Sequence, residues 1–171
     1  MKKVLKSTLA ALMVVSFTGC VSTSDINVES VQSEKANLDA YKTYQFIEGS
    51  GIAKDVNKKV LTQNVAVSAK IEEMINVELA KKGKVPTAKD PDFFVAYLGG
   101  TDMEAVSKVL DKNGKETITK SPEAAMVLML VDADSGAIIW MSTADGEIKN
   151  GTEEEKKVRL EYAVKKMLHG V

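Results

Sequence analysis

The chain has 171 residues, 44% of them hydrophobic, with 23 basic and 24 acidic side chains and a net charge of −1. That balance excludes the basic footprint of a nucleic-acid binder and the polybasic patch that would hold anionic lipid headgroups. One histidine and one cysteine exclude a zinc site built from those ligands and an internal disulfide.

Lys2, Lys3 and Lys6 precede the apolar run Leu9–Phe17. The run is shorter than the about 20 apolar residues of a membrane-spanning helix and fits the core of a signal peptide. It closes on Phe17-Thr18-Gly19-Cys20, which reads as a lipobox. Cleavage is expected between Gly19 and Cys20, with lipid on the Cys20 sulfur. Each buried methylene is worth about 0.8 kcal/mol, so two or three acyl chains anchor a protein stably where one does not. Val21 and Ser22 follow the cysteine where an aspartate would mark inner-membrane retention in enterobacterial lipoproteins. By that analogy the destination is the outer membrane, with the domain facing the periplasm. Cleavage removes three lysines and no acidic residue, moving the net charge from −1 to −4.

Residues 20–37, rich in Ser, Glu and Asn, read as a lipidated tether with one candidate strand around Ile26–Val31. A domain over residues 38–171 follows. Tyr41–Ile47 alternates Tyr44 and Phe46 with Thr43 and Gln45, the pattern of a half-buried strand. Glu48–Gly51 breaks it. Residues 60–82 predict a long helix in which Val60, Val67, Ile71, Met74, Ile75 and Leu79 share a stripe. Gly83 stops it.

Asp92–Leu98 is apolar on both faces and predicts a central strand ended by Gly99-Gly100. Met103–Leu110 predicts the next strand, Asn113-Gly114 a tight hairpin turn, and Lys115–Lys120 a polar returning strand. Ala125–Val131 is a second buried strand. Asp132–Gly136 turns it into Ala137–Met141. Thr152 and Glu155 form a capping box at the start of the last helix, whose inner face is Leu160, Ala163, Val164, Met167 and Leu168. The fold class expected is α+β in two layers: a mostly antiparallel sheet with two helices packed on it.

Tyr41-Lys42-Thr43-Tyr44-Gln45-Phe46, then Asp90–Tyr97, then the hairpin Leu130–Trp140 and the helix Ala163–Leu168 occur in one order. In that order they resemble the domain of unknown function 4136 family of bacterial envelope lipoproteins. The likeness covers about residues 38–169. It implies fold and location, and no catalytic residue or cofactor.

The residues themselves supply no catalytic constellation. His169 sits at the end of a helix, where a cation suits the dipole. Asp111-x-Asn113 and Asp132-x-Asp134 begin like calcium loops but lack the later Gly and Glu, so they read as turns. Trp140 is a core or sheet-edge aromatic, or else an anchor for a partner. Asn113, Gly114 and Trp140 are the candidate partner contacts. The expectation is a lipid-anchored, non-catalytic binding or scaffolding domain of the cell envelope, with an envelope protein as partner and no nucleic acid. Two rivals are a carrier of a small apolar or lipid ligand, suggested by the apolar strands and Met126 and Met129, and a hydrolase with a dispersed site.

Overall fold

The structure is a computed structural model that describes residues 21–52, 65–101, 124–147 and 149–171. Among these, seven strands form one sheet: β1 (Asn27–Gln32), β2 (Thr43–Phe46), β3 (Gly51–Ile52), β4 (Val85–Pro86), β5 (Phe93–Thr101), β6 (Ala124–Asp132) and β7 (Ile138–Gly146). The spatial order is β1-β7-β6-β5-β2-β4, with β3 also on β5. Helices α1 (Val65–Ala80) and α2 (Glu153–Met167) pack on it and on each other. The protein is a two-layer α+β domain.

The long pairings, β1 with β7, β7 with β6 and β6 with β5, are antiparallel. The short pairings of β2 and β3 with β5, and of β2 with β4, are parallel. The parallel pairing follows from chain order, because α1 carries the chain back along the sheet between β2 and β5, as parallel neighbours require. Asp92 fixes the start of that pairing. Its carboxylate accepts from the main-chain N–H groups of Lys42 and Thr43, each at 2.7 Å, and those donors hold its pKa below the usual carboxylate range.

The helix layer covers one sheet face. Phe93, Val95 and Tyr97 on β5 line up with Leu128 and Leu130 on β6 and with Trp140 on β7, and all are buried. From α1 come Ile71, Ile75 and Leu79, the centre of the expected stripe, and from α2 Val164, Met167 and Leu168, every one fully buried. Each such side chain contributes about 1.5–3 kcal/mol by leaving water. Two phenol groups cross between the layers. The Tyr44 hydroxyl donates to Asn76 Oδ1 at 2.6 Å, and the Tyr97 hydroxyl donates to Glu72 Oε1 at 2.9 Å and the Ser68 carbonyl at 3.1 Å. Burial pushes the Tyr97 hydroxyl pKa up, and the neighbouring Glu72 carboxylate adds to it.

The ends of α1 and α2 follow local chemistry. Gly83 takes φ +72° just after α1, a conformation that glycine reaches without Cβ strain. At α2 the Thr152 hydroxyl accepts from Glu155 N–H, and the Glu155 carboxylate accepts from Thr152 N–H, so the capping box is closed in both directions.

Two boundaries differ from the sequence expectation. The candidate strand around Ile26–Val31 is present as β1, paired with β7 from Asn27 to Gln32; what differs is the boundary, since the folded domain begins ahead of Leu38 and this stretch is no free tether. β5 does not stop at Gly99-Gly100 but runs on to Thr101, paired with Met126, Ala125 and Ala124 of β6. The ladder bonds of a long partner strand carry the chain through two residues that would end an isolated one. The expected strands at Met103–Leu110 and Lys115–Lys120, with their Asn113-Gly114 turn, lie outside the described residues, as does residues 60–64 of the expected helix.

Candidate functional site

The described structure offers three surfaces. The first is the sheet face away from the helices. Register places Phe94 opposite Val131, Ala96 opposite Met129, and Leu98 opposite Val127, while Met129 meets Met141. Val127 is buried among Leu98, Ala125, Met129 and Met141, forming a second, smaller apolar cluster. It continues to Val31 on β1, which pairs with Met141 and is 51% exposed. The apolar alternation on both faces of β5 and β6 thus has two destinations: the helix-covered core and this half-buried face.

The second surface is an open groove of about 740 Å³ between α1 and α2. Met74, Val77, Val158 and Tyr162 supply its apolar part, and lysines and glutamates of both helices its rims. The Lys166 ammonium lies 5.6 Å from the Tyr162 ring centre, a cation–π contact beside the groove.

The third is the junction between the N-terminal segment and α2. Arg159 sends one guanidinium nitrogen to Asp25 Oδ2 at 2.5 Å and the other to Oδ1 at 2.9 Å. The same guanidinium donates to the carbonyls of Ser22 and Glu147. Lys149 Nζ reaches Asp25 Oδ1 at 2.6 Å, and Glu147 N–H donates to Oδ2 at 3.2 Å. Arg159 and then Lys149 hold the Asp25 carboxyl far below the usual range, and Asp25 in turn raises the Arg159 pKa. A planar fork on a carboxylate fixes geometry as well as charge. Residues 22–26 are therefore clamped to the body of the domain just before β1 begins.

Of the candidates read from sequence, Gly19, Cys20, Asn113 and Gly114 lie outside the described residues. Trp140 is in the core, 6% exposed, with its indole N–H donating to the Met167 carbonyl at 3.0 Å. That burial leaves the ring little surface to offer as a partner contact, because α2 and the C-terminal residues already cover it. The Asp132 turn is held by its own chemistry: Ser135 N–H and hydroxyl donate to Oδ1 at 2.7 and 2.6 Å, and the Tyr41 hydroxyl donates to Oδ2 at 2.6 Å. These donors lower the Asp132 pKa to about 2. Among the described residues no group of three or more His, Cys, Asp or Glu side chains is placed to hold a metal ion.

The clamp was not foreseen, although the sequence held one signal for it. Arg159 is the only arginine in a chain otherwise supplied with lysine, and arginine is the residue suited to forked, partly buried carboxylate pairing. Lys84 was also missed. It is 3% exposed, and its ammonium donates to the carbonyls of Leu38 at 2.8 Å and Tyr41 at 3.0 Å. Burial lowers its pKa.

Comparison with known proteins follows the same lines. No curated protein matches the chain. A DUF4136 family protein of Bacteroides thetaiotaomicron VPI-5482, BT2437, superposes with a TM-score of 0.61 at 11% identity, over 85% of this chain and 95% of that one. A PDZ domain protein of Parabacteroides distasonis ATCC 8503 gives 0.51 at 15% identity, over 85% of this chain but only 36% of its own. The PelC dodecamer of Paraburkholderia phytofirmans gives 0.50 at 11% identity, over 84% of this chain and 94% of that one. At such identities the likeness is one of fold. The family model described as Domain of unknown function (DUF4136) matches residues 28–170, from β1 to the C-terminus, and the chain belongs to that family.

Proposed function

We propose that this protein is a lipid-anchored component of the cell envelope whose domain binds or scaffolds another envelope protein and performs no catalysis of its own. The observation that carries the reading is the lipobox Phe17-Thr18-Gly19-Cys20 placed directly before the clamped segment that leads into β1. A second observation supports it. Among the described residues, groups with clearly shifted pKa values are engaged in holding the fold: Asp25 by Arg159, Tyr97 by Glu72 and Ser68, Asp132 by Ser135 and Tyr41, Asp92 by two main-chain N–H groups, and Lys84 by two carbonyls. Catalytic groups are tuned toward a substrate instead.

The outer membrane, with the domain on the periplasmic side, is the location proposed. Intact mass of the protein purified from membranes tests the anchor, with Cys20→Ala as control. Crosslinking in whole cells tests the partner. Reproducible capture of one envelope protein, lost in Cys20→Ala, is the expected result. Full activity of an unanchored variant in a deletion-rescue assay would sink the reading.

The half-buried face of Leu98, Val127, Met129 and Met141 favours a second reading, a carrier of a small apolar or lipid ligand. Lipid that co-purifies with the protein in stoichiometric amount would favour it over the first.

A further inference from the structure

The structure points to a fixed orientation on the membrane: we propose that the end of the domain carrying Asp25, Arg159 and Asn150 is held flat against a lipid bilayer surface. The inference rests on the lipid anchor proposed above. If Cys20 carries acyl chains, the sulfur lies in the headgroup layer, which is about 5–7 Å deep on each side of the hydrocarbon. The first main-chain group bound to the body of the domain is the Ser22 carbonyl, on Arg159. Two extended residues span at most about 7 Å. The slack between anchor and domain is therefore about the depth of one headgroup layer.

Nothing after Ser22 restores that slack. Asp25 is held by Arg159 and Lys149, and Ile26 N–H donates to the Thr23 carbonyl at 3.1 Å. From Asn27 the chain is in the sheet. Covalent geometry alone imposes this proximity; among the described residues, Lys149 and Lys156 are paired with Asp25 and Glu153.

The rest of the topology defines which end faces the bilayer. Asn27 pairs with Asp145, and Gly146 with Ala124, which in turn pairs with Thr101. The start of β1, the ends of β5 and β7 and the start of β6 all meet at this end. The turn at Asp132–Gly136 is at the other end of the nine-residue strands β6 and β7, a separation of about 30 Å at 3.3 Å per residue.

The test uses the full-length acylated protein in vesicles of phosphatidylethanolamine and phosphatidylglycerol carrying a headgroup-attached quencher. Acylation occupies the only natural thiol, so a cysteine introduced at Asn150 or at Asp134, both exposed, takes a fluorophore alone. Strong quenching of the label in Asn150→Cys and little in Asp134→Cys is expected. A Gly-Ser linker inserted between Val21 and Ser22 leaves the domain untouched and should remove most of that difference. Arg159→Ala, checked for an intact fold by circular dichroism, should reduce it in part. Equal quenching at both sites, or a linker without effect, on protein whose mass shows an acylated Cys20, overturns the orientation and leaves the anchor standing. An unmodified Cys20 overturns both.

Discussion

Gly170 lies against the ring of Trp140 so closely that a Cβ added there would stand 2.9 Å from the indole Cζ3. The same indole donates to the Met167 carbonyl, so the end of α2 and the residues just beyond it are pinned over the first half of β7. Gly170→Ala should force the ring or the C-terminal turn to move, at a cost of about 1–3 kcal/mol for overpacking. Urea unfolding followed by tryptophan fluorescence measures it, since Trp140 is the chain's only tryptophan. An unchanged midpoint would show that the C-terminal turn yields freely.

Lys84→Met keeps the length of the side chain and removes the donor to Leu38 and Tyr41. Two carbonyls that an ammonium now satisfies would be left without it. A loss of about 1–3 kcal/mol is expected, the usual cost of stranding a buried polar group. Relief from burying a charge would work against it, so a Lys84→Met protein more stable than the parent would mean that desolvation outweighs the two bonds.

Thr152→Ala opens the capping box at α2. The expected loss is about 1 kcal/mol, typical of an N-cap threonine replaced by alanine. Thr152→Ser retains the hydroxyl oxygen and should recover most of that stability. Thermal melts of the three proteins side by side check it.

Acid should unfold the protein through its carboxylates. Asp132 has its pKa lowered from 3.8 to about 2, and Asp25 and Asp92 are lowered too. A group depressed in the folded state binds fewer protons there than in the unfolded chain. Its contribution is complete above about pH 4, near the ordinary carboxylate value, and is lost as pH falls through the folded value toward 2. Melting temperatures measured from pH 6 to pH 2 should fall steeply below 4. Asp132→Asn should start lower and decline less over that window; an equal slope would remove Asp132 from the acid response.

The elements that sequence made legible are those whose signals are local and periodic. Ile71, Ile75 and Leu79 recur at helical spacing, Tyr44 and Phe46 alternate, and Thr152 and Glu155 form a box across one turn. The clamp was illegible for the opposite reason. Asp25 and Arg159 are 134 residues apart, and only the assembled sheet and α2 bring them together. β1 is legible only as a candidate strand inside a polar stretch, because it is an edge strand with mostly exposed side chains. The run through Gly99-Gly100 came from pairing with β6, which propensity alone does not contain. Trp140 could be read either way from its strand, and α2 decided it by covering the indole.

The pairing of β1 with β7 also sets a timetable. Asn27 and its partner Asp145 are 118 residues apart, and at about 5–20 residues per second of synthesis the first strand waits roughly 6–24 s for the last. Throughout that interval residues 21–32 have no β7 to join and no Arg159 to hold them. The segment that leads into β1 therefore stays without its sheet partner until the C-terminal third of the chain is made.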